Sequence, residues 1–321
     1  MSPPADTNRS AVLADPPEGM RVFDRHSVRR HRERAAAGFA GHGFLFDEVA
    51  ARLADRLDDV RREFATILDI GARGGVMARA LAARGGDAPA ALGDKSTVVI
   101  HSDLAPSLLA GLPRAVVADP EALPFAGGFD LVASCLDLHW VNDLPGALVQ
   151  IRRALRPDGL FLAAIFGGDT LSELREAWLA AEIEVEGGAS PRISPFADGR
   201  DAGALLQRAG FALPVIDTDR ITVTYADPIA LMRDLRGMGE TNAVALRRRT
   251  ATRRATLFRA AEIYGERFAD ADGRIRATFE IVTMTGWAPH ADQQKPLKPG
   301  SAAFKLAEAL NGEPDQSARS Q

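Results

Sequence analysis

The alternation of short apolar runs with helix-like segments between residues 46 and 166 constrains the fold more than any other feature. Five runs are apolar enough to form strands, at residues 64–70, 97–103, 114–118, 129–136 and 160–166. Helical periodicity separates them, at residues 77–84, 106–112 and 144–155. This alternation predicts βαβ units, and strands so continuously apolar are buried on both faces. The sequence therefore predicts an α/β fold with a doubly wound, mostly parallel, Rossmann-like sheet.

The pattern changes after Gly168. Helices are predicted at residues 171–186, 201–209, 228–236 and 243–267, and strands at residues 221–225 and 275–287. These elements are expected to complete the sheet and to add a C-terminal helical cover. The predicted organisation is a disordered leader (1–20), one domain (21–290, with a ligand-binding core at about 45–175 and the cover at about 176–275) and a mostly disordered tail (291–321).

Charge and cysteine content exclude several classes of protein. The net charge of −4 gives no reason to expect a nucleic-acid partner. With Cys135 as the only cysteine, an intrachain disulfide and cysteine-based zinc or iron–sulfur sites are impossible. No run reaches the roughly 18 apolar residues of a transmembrane helix, and Asp6, Asp15 and Glu18 argue against a transit peptide. We therefore expect a cytoplasmic bacterial protein without a transmembrane segment.

The first predicted strand runs into a glycine turn, LDIGARGG, at residues 68–75. In an open parallel sheet, ligands bind beyond the carboxyl ends of the strands. Asp69 and Gly71 close the strand, and Gly74 and Gly75 open a helix whose N-terminus favours an anionic group. Glycine also lets the backbone approach a ligand closely. The alternative is a purely structural strand–helix turn.

Arg73 occupies the place of the second glycine in the usual G-x-G-x-G pattern. Three interpretations are open: pairing with a cofactor carboxylate, an outward orientation into solvent, or an altered site. Helix-end amides already satisfy a carboxylate, so the outward orientation is the preferred prediction.

Two further carboxylates follow later strands. Asp103 lies 32 residues after Gly71, against roughly 20 in typical dinucleotide folds, and the loop-like insertion GGDAPAALGDKS explains the excess. A carboxylate at Asp103 could accept both hydroxyls of a ribose. Asp119 ends the third strand and could meet an adenine amino group. The three features in this order predict a nucleotide-like cofactor.

The ordered motifs LDIGARGG, SDLAP, ADPEALPF, FDLVASCLDLHWVNDLPGAL and RPDGLFLAAIFGGDTLSELR resemble the class I S-adenosylmethionine-dependent methyltransferases. The resemblance implies S-adenosylmethionine as cofactor. It implies the following binding residues: Asp69, Gly71, Gly74 and Gly75 in the methionine-side loop, Asp103 at the ribose, and Asp119, Glu121 and Ala122 near the adenine.

A narrower resemblance rests on FDRHSVRRHRERAA, LHWVNDLPGAL, GMGETNA and PHADQQKPLKPGSA. These motifs are similar to those of the complex I assembly-factor methyltransferase-like proteins and their alphaproteobacterial relatives. That similarity implies hydroxylation of an arginine in an iron–sulfur subunit of complex I, hence a protein substrate. The chain resembles less closely the malonyl-carrier-protein methyltransferases of biotin synthesis. A non-catalytic assembly chaperone on the same fold is the third alternative.

Candidate catalytic residues follow the fourth strand. His139 or Asp137 could remove a proton from a nucleophile, and Trp140 stands beside them. The alternative is that His139 and Trp140 form an apolar pocket wall. In GMGETNA, the Glu240 carboxylate could offer paired acceptors to a substrate guanidinium, whereas helix capping by Thr241 or Asn242 is the structural alternative.

His101 and Asp103 lie at strand spacing on one face, and an iron site would need a third ligand such as His139 or His290. A plain strand histidine is the preferred interpretation, and no metal site is predicted.

Two arginine-rich runs are also present. Residues 21–36 contain six arginines against one aspartate and one glutamate. They predict either a basic helix that closes over the site or receives an acidic partner, or a solvated face. The run at 247–254 raises the same question. Nucleic-acid binding is disfavoured because that run has no aromatic residue.

Overall fold

The computed structural model describes residues 21–84, 97–196 and 198–293. The predictions for the leader at 1–20, the insertion at 85–96 and most of the tail concern residues outside these ranges. The described residues up to Pro289 belong to one compact unit, and those from His290 onward belong to a second.

The described residues of the first unit build one mixed sheet. Its strands are β1 (Thr66–Ile70), β2 (Val98–Asp103), β3 (Ala115–Val117), β4 (Phe129–Cys135), β5 (Leu155–Phe166), β6 (Ala212–Tyr225) and β7 (Ile275–Trp287). Their order is β3-β2-β1-β4-β5-β7-β6. Neighbours among β1 to β5 pair in parallel, whereas β7 is antiparallel to both β5 and β6. The predicted fold class is confirmed.

Helices cover both faces of this sheet. They are α1 (Arg25–Ala36), α2 (Phe44–Asp55), α3 (Val76–Ala83), α4 (Leu144–Ala154), α5 (Ser172–Glu186), α6 (Gly199–Ala209), α7 (Pro228–Gly237) and α8 (Arg254–Phe268). Strand side chains alternate between two cores. Ile67 faces the core shared with α2, α3, α5 and α8, whereas Leu68 faces the core shared with α4 and α6. Burial on both faces explains why these strands are apolar throughout.

The order of the parallel strands reverses at β1, because β2 and β3 lie on one side of it and β4 and β5 on the other. At such a reversal the connections leave in opposite directions and open a crevice beyond the carboxyl ends of the strands. Residues 71–75, 103–105 and 136–140 follow these strand ends. The predicted site residues therefore meet at one edge of the sheet.

Several element boundaries differ from the predictions. Residues 106–112 form only a short 3-10 turn at Pro106–Leu109. The strand predicted at 221–225 begins at Ala212, because β6 is an edge strand and can carry polar residues along one face. The helix predicted from residue 243 begins at Arg254.

The segment before α8 is not helical because its backbone bonds to the N-terminal region. Asp24 N donates to Ala243 O at 2.8 Å, and Ala245 N donates to Val22 O at 2.8 Å. Phe23 and Val244 form an antiparallel bridge. Helical periodicity cannot reveal such a pairing. None of the described helices is long and apolar enough to cross a membrane.

Candidate functional site

The turn after β1 brings its backbone close to the segment after β4. Gly71 and Gly75 have φ angles of +72° and +80°, which a residue with a side chain rarely adopts. A Cβ at Gly71 would lie 2.3 Å from the Cβ of Asp137. Gly71 N donates to Ser102 O at 2.8 Å. Glycine at this position therefore permits the contact between the ends of β1, β2 and β4.

Arg73 is buried, so the preferred prediction of an outward side chain was wrong. Only 1% of the residue is exposed. Its Nη1 donates to Met238 O at 2.8 Å, and its Nη2 donates to Glu240 Oε1 at 2.7 Å. The guanidinium carbon lies 4.8 Å from the centre of the Phe46 ring. A buried charge of this kind requires a partner, and Glu240 provides it.

Glu240 connects three residues of the candidate site. Its Oε2 accepts from Trp140 Nε1 at 2.7 Å and lies 3.1 Å from His139 Nε2. Burial alone would raise the pKa of Glu240, but Arg73, His139 and Arg32 together outweigh burial and lower that pKa to about 2. The carboxylate is therefore ionised at neutral pH. Its role as the acceptor for a substrate guanidinium stays a prediction, since in this structure it binds the guanidinium of Arg73.

Helix α1 closes over the acidic strand ends with two buried arginines. Arg32 Nη1 lies 2.5 Å from Asp137 Oδ1 and 3.5 Å from Asp103 Oδ1. Arg25 Nη2 lies 2.5 Å from Asp119 Oδ1. Two interpretations of the run at 21–36 were open. Arg25 and Arg32 support the one in which the basic helix closes over the site, because both side chains are buried against its carboxylates.

The residues predicted at the ribose and the adenine all lie at these strand ends. Asp103 Oδ1 accepts from Ala105 N at 2.9 Å, and its Oδ2 accepts from Arg73 N at 3.2 Å. The next loop repeats the pattern: Asp119 Oδ1 accepts from Glu121 N at 3.0 Å, and Ala122 N donates to Asp119 O at 2.9 Å.

Some buried polar atoms at this edge have no hydrogen-bond partner in the described part of the chain. They are Asp69 Oδ1, Asp119 Oδ2 and the Nε and Nη2 atoms of Arg32. Buried polar atoms in proteins are nearly always hydrogen-bonded. The site therefore offers acceptors for a cation or an amino group, and donors for an anion.

The iron interpretation of His101 gains no support from the geometry. His101 Nδ1 lies 3.1 Å from Asp69 Oδ2, and both side chains are buried. Within residues 21–84, 97–196 and 198–293, no group of three or more His, Cys, Asp and Glu side chains could hold a metal ion.

A cavity of about 270 Å³ lies beside Glu240. Its aromatic walls are Trp140, Phe166, Trp178, Phe196 and Phe279, and its polar lining includes Arg192, Arg236, Thr241 and Asn242. The aromatic walls and the ionised carboxylate suit a flat or cationic group.

His139 lies behind this cavity. Its ring centre is 4.7 Å from that of Phe166 and 5.6 Å from that of Phe196. Burial lowers the pKa of His139, although Glu240 opposes the shift. The ionised Glu240 accepts from Nε2–H, so Nδ1 carries the lone pair. Nδ1 is buried and has no partner within the described ranges.

Asp137 differs from His139 in that its environment stabilises the charged form of its side chain. Burial alone would raise the pKa of Asp137, but the nearby positive charges, led by Arg32 and followed by Arg73 and Arg25, together lower it. A carboxylate stabilised in its charged form is a weak base at neutral pH. Of the two candidate bases predicted from the sequence, Asp137 is paired with Arg32, whereas His139 Nδ1 has no partner among the described residues.

Comparison with known proteins identifies the family. A methyltransferase domain matches residues 28–214. The chain belongs to the methyltransferase family. The arginine-hydroxylase NDUFAF5, mitochondrial, of Danio rerio is 42% identical over 302 residues, covering 91% of this chain and 90% of the relative. Its counterpart in Homo sapiens is 42% identical over 303 residues, covering 91% and 84%.

A second group of relatives carries a different name. The malonyl-[acyl-carrier protein] O-methyltransferase of Halorhodospira halophila is 36% identical over 289 residues, covering 87% of this chain and 93% of the relative. The family and both resemblances predicted from the motifs are thus confirmed. The prediction of a methyltransferase-family enzyme is confirmed at that level, since both groups are named as enzymes.

Sequence reasoning missed the arginines that complete the site of this methyltransferase-family protein. Arg25, Val28, Arg32 and Ala35 are all buried on α1. Their spacing of three, four and three residues places them on one helical face. The sequence does contain a signal for this burial: Val28 and Ala35 share the helical face of Arg25 and Arg32, and a fully solvated face would not need apolar residues.

His31 on the same helix predicts a specific pH dependence. Its Nδ1 lies 3.0 Å from Thr241 O. Burial outweighs this hydrogen bond and, with nearby arginines, lowers the pKa of His31 to about 4. The unfolded chain, with a histidine pKa near 6.5, binds more protons between these values, so stability is lost as the pH falls. At pH 5 the loss from His31 is about 2 kcal/mol.

The test compares denaturant unfolding of the wild-type protein and His31→Gln from pH 7 to pH 5. The wild-type free energy of unfolding is expected to fall more steeply than that of the variant. Parallel curves would show that His31 titrates normally.

Proposed function

We propose that the chain binds S-adenosylmethionine at the carboxyl ends of β1, β2 and β3. The buried polar atoms without partners support this proposal, because their chemistry matches the groups of this cofactor. Asp69 Oδ1 suits the ammonium group, and Arg32 Nε and Nη2 suit the carboxylate. Asp119 Oδ2 suits the adenine amino group. The Asp103 oxygens already accept from Ala105 N and Arg73 N, and their remaining lone pairs suit the ribose hydroxyls. When bound, the cofactor supplies an electrophilic methyl group.

We propose further that the chain modifies a protein arginine during assembly of respiratory complex I. The observation that carries this proposal is its 42% identity, over nine-tenths of both chains, to an arginine hydroxylase. The identity to the malonyl-carrier methyltransferases named above is lower, at 36%. The cavity beside Glu240 is consistent with this substrate, because a guanidinium stacks on aromatic faces. An iron–sulfur subunit of complex I is the proposed partner, and a cytoplasmic location stays a prediction.

Within this proposal, His139 is the base. Glu240 fixes its tautomer, so that Nδ1 is available to take a proton from the substrate. Trp140 holds Glu240 through its indole N–H. Asp137 stabilises positive charge rather than removing a proton.

Methylation of a carboxyl group on a malonyl carrier protein is the second candidate. The observation in its favour is the presence of Arg192 and Arg236 in the cavity lining. Either guanidinium could bind a carboxylate. Arg192 already pairs with Glu182, which reduces the positive charge available.

The two candidates predict different results in a strain that lacks the gene. We expect the iron–sulfur subunit of complex I to lose an arginine modification, as measured by mass spectrometry of its peptides. The mass of the missing group distinguishes a methyl from a hydroxyl group. NADH-quinone oxidoreductase activity is expected to fall without a requirement for biotin.

The wild-type gene and the control His290→Gln, which alters an exposed histidine, should restore the modification. His139→Gln should not restore it, because it removes the proposed base. A biotin requirement together with an unchanged subunit would contradict the proposal and support the carrier-protein candidate.

A further inference from the structure

The two arginine-rich runs, which are far apart in sequence, meet on one surface of the molecule. Arg247 Nη2 lies 3.0 Å from Asp24 Oδ2 and donates to Ser27 Oγ at 2.7 Å. Arg247 therefore ties the second run to the start of α1. His26, Arg30, Arg247, Arg248 and Arg249 line one cavity of about 380 Å³ there. We call these five residues the basic surface.

Much of the charge on the basic surface is not neutralised within the described chain. Asp24 pairs with Arg247, and Glu186 pairs with Arg248. The exposed Arg30 reaches only the Ser27 hydroxyl, and the exposed Arg249 contacts no acidic group in the residues that the structure describes. Uncompensated like charges repel one another. An acidic partner would remove this repulsion.

A second cavity shares lining residues with the candidate substrate cavity and is lined by residues adjacent in sequence to the basic surface. Val22, Val244 and Leu246 line this cavity of about 580 Å³, and these residues come from the two segments that carry the basic surface. The opposite wall includes Ile193 and Phe196. Both residues also line the cavity beside Glu240. The order along the surface is therefore cations, then apolar residues, then the aromatic cavity.

We propose that the basic surface docks an acidic region of the protein whose side chain enters the aromatic cavity. This inference rests on the proposed function and adds the chemistry of the partner: carboxylates facing Arg30 and Arg249, and an apolar side chain against Leu246. Leu246 is 84% exposed and Val22, which lines the same cavity, is 41% exposed, and contiguous exposed apolar residues with a polar rim mark protein contact sites.

The surface fits a protein better than a nucleic acid or a membrane. Its five residues include no Phe, Tyr or Trp on which bases could stack. A protein can present carboxylates and an apolar side chain together, as this surface requires.

The test uses the full-length double variant Arg30→Glu/Arg249→Glu. A matched control is Arg61→Glu/Arg153→Glu, which changes the net charge equally at two exposed positions. Arg61 precedes β1 and Arg153 ends α4, so both lie toward the amino ends of the parallel strands. Binding of fluorescent poly-L-glutamate, duplex DNA and phosphatidylglycerol vesicles is measured by anisotropy or co-sedimentation at several salt concentrations.

We expect poly-L-glutamate to bind the wild-type protein and the control similarly, and the Arg30/Arg249 variant about tenfold more weakly. Tenfold corresponds to about 1.4 kcal/mol, which the loss of two surface ion pairs can supply. Equal binding by the two variants would overturn the proposal. Tighter binding of the wild type to DNA or to vesicles than to poly-L-glutamate would also overturn it. Thermal melts, and the milder variant Arg30→Gln/Arg249→Gln, separate weaker binding from misfolding.

A second measurement separates this inference from the proposed function. The deletion strain is complemented with each variant, and the arginine modification is quantified. Restoration by the control but not by the Arg30/Arg249 variant supports docking, whereas equal restoration overturns it. If deletion leaves the subunit unchanged, the proposed function fails, and poly-L-glutamate binding alone supports or overturns an acidic partner.

Discussion

Replacing Arg73 with alanine is expected to lower the free energy of unfolding by about 3–5 kcal/mol. The guanidinium donates to Met238 O and Glu240 and packs against the Phe46 ring. Its removal leaves an ionised carboxylate buried with only Trp140 and His139 as partners. An uncompensated buried charge is among the few causes of losses this large. Denaturant unfolding followed by circular dichroism measures the change.

Arg79→Ala is the matched control, because Arg79 is 58% exposed and its ion pair with Asp47 is on the surface. We expect the Arg79→Ala substitution to lower the free energy of unfolding by less than about 1 kcal/mol. Arg73→Met/Glu240→Gln removes both charges and should recover part of the loss, since the remaining amide can still accept from Trp140. If Arg73→Ala and Arg79→Ala were equally stable, the buried pair would not stabilise the fold.

The second large effect is expected on cofactor affinity. Asp103→Asn should weaken binding of S-adenosylmethionine and of its demethylated product by about 10- to 100-fold. Hydrogen bonds to a charged acceptor contribute about 1.5–3 kcal/mol, and the amide accepts fewer hydroxyls than the carboxylate. The variant also leaves Arg32 with Asp137 alone. Isothermal titration calorimetry measures both ligands.

Asp130→Asn controls for the loss of a buried aspartate. Asp130 accepts from Thr66 N at 2.9 Å and pairs with Arg156 at 2.7 Å, at the amino end of β1. The Asp130→Asn substitution should lower the free energy of unfolding and leave the affinity for S-adenosylmethionine unchanged. Equal affinities for the wild type and Asp103→Asn would refute the ribose assignment, and no binding by the wild type would refute the cofactor site.

The parts of the structure that sequence predicts best depend on local patterns. The strands β1 and β4 are largely apolar because nearly all of their residues are buried, and this property is visible in a single short run. The glycine turn needs positive φ angles, which the residue types reveal directly. The order of Asp69, Asp103 and Asp119 follows from the strand ends. Each of these features is decided within a few residues.

The parts that could not be predicted depend on pairs far apart in the chain. Arg73 and Glu240 are separated by 167 residues, and Arg25 and Asp119 by 94. An arginine is ordinarily exposed, and only knowledge of its partner reverses that expectation. The non-helical segment at 243–253 has the same origin, because residues 22–24 bond to it. From residue type alone, Arg25 and Arg73 are expected to be exposed to solvent. In the folded protein they are buried, because carboxylates from distant parts of the chain neutralise them.

The long separations at the site also affect biosynthesis. Ribosomes deliver the chain from its amino end, and domains fold as their residues emerge. Helix α1, the glycine turn and β1 to β5 are all made before residue 167, yet the partner of Arg73 arrives only at Glu240. Until then the nascent sheet carries a charged side chain without its counterion. The interior of the candidate site is therefore among the last parts of the protein to become complete.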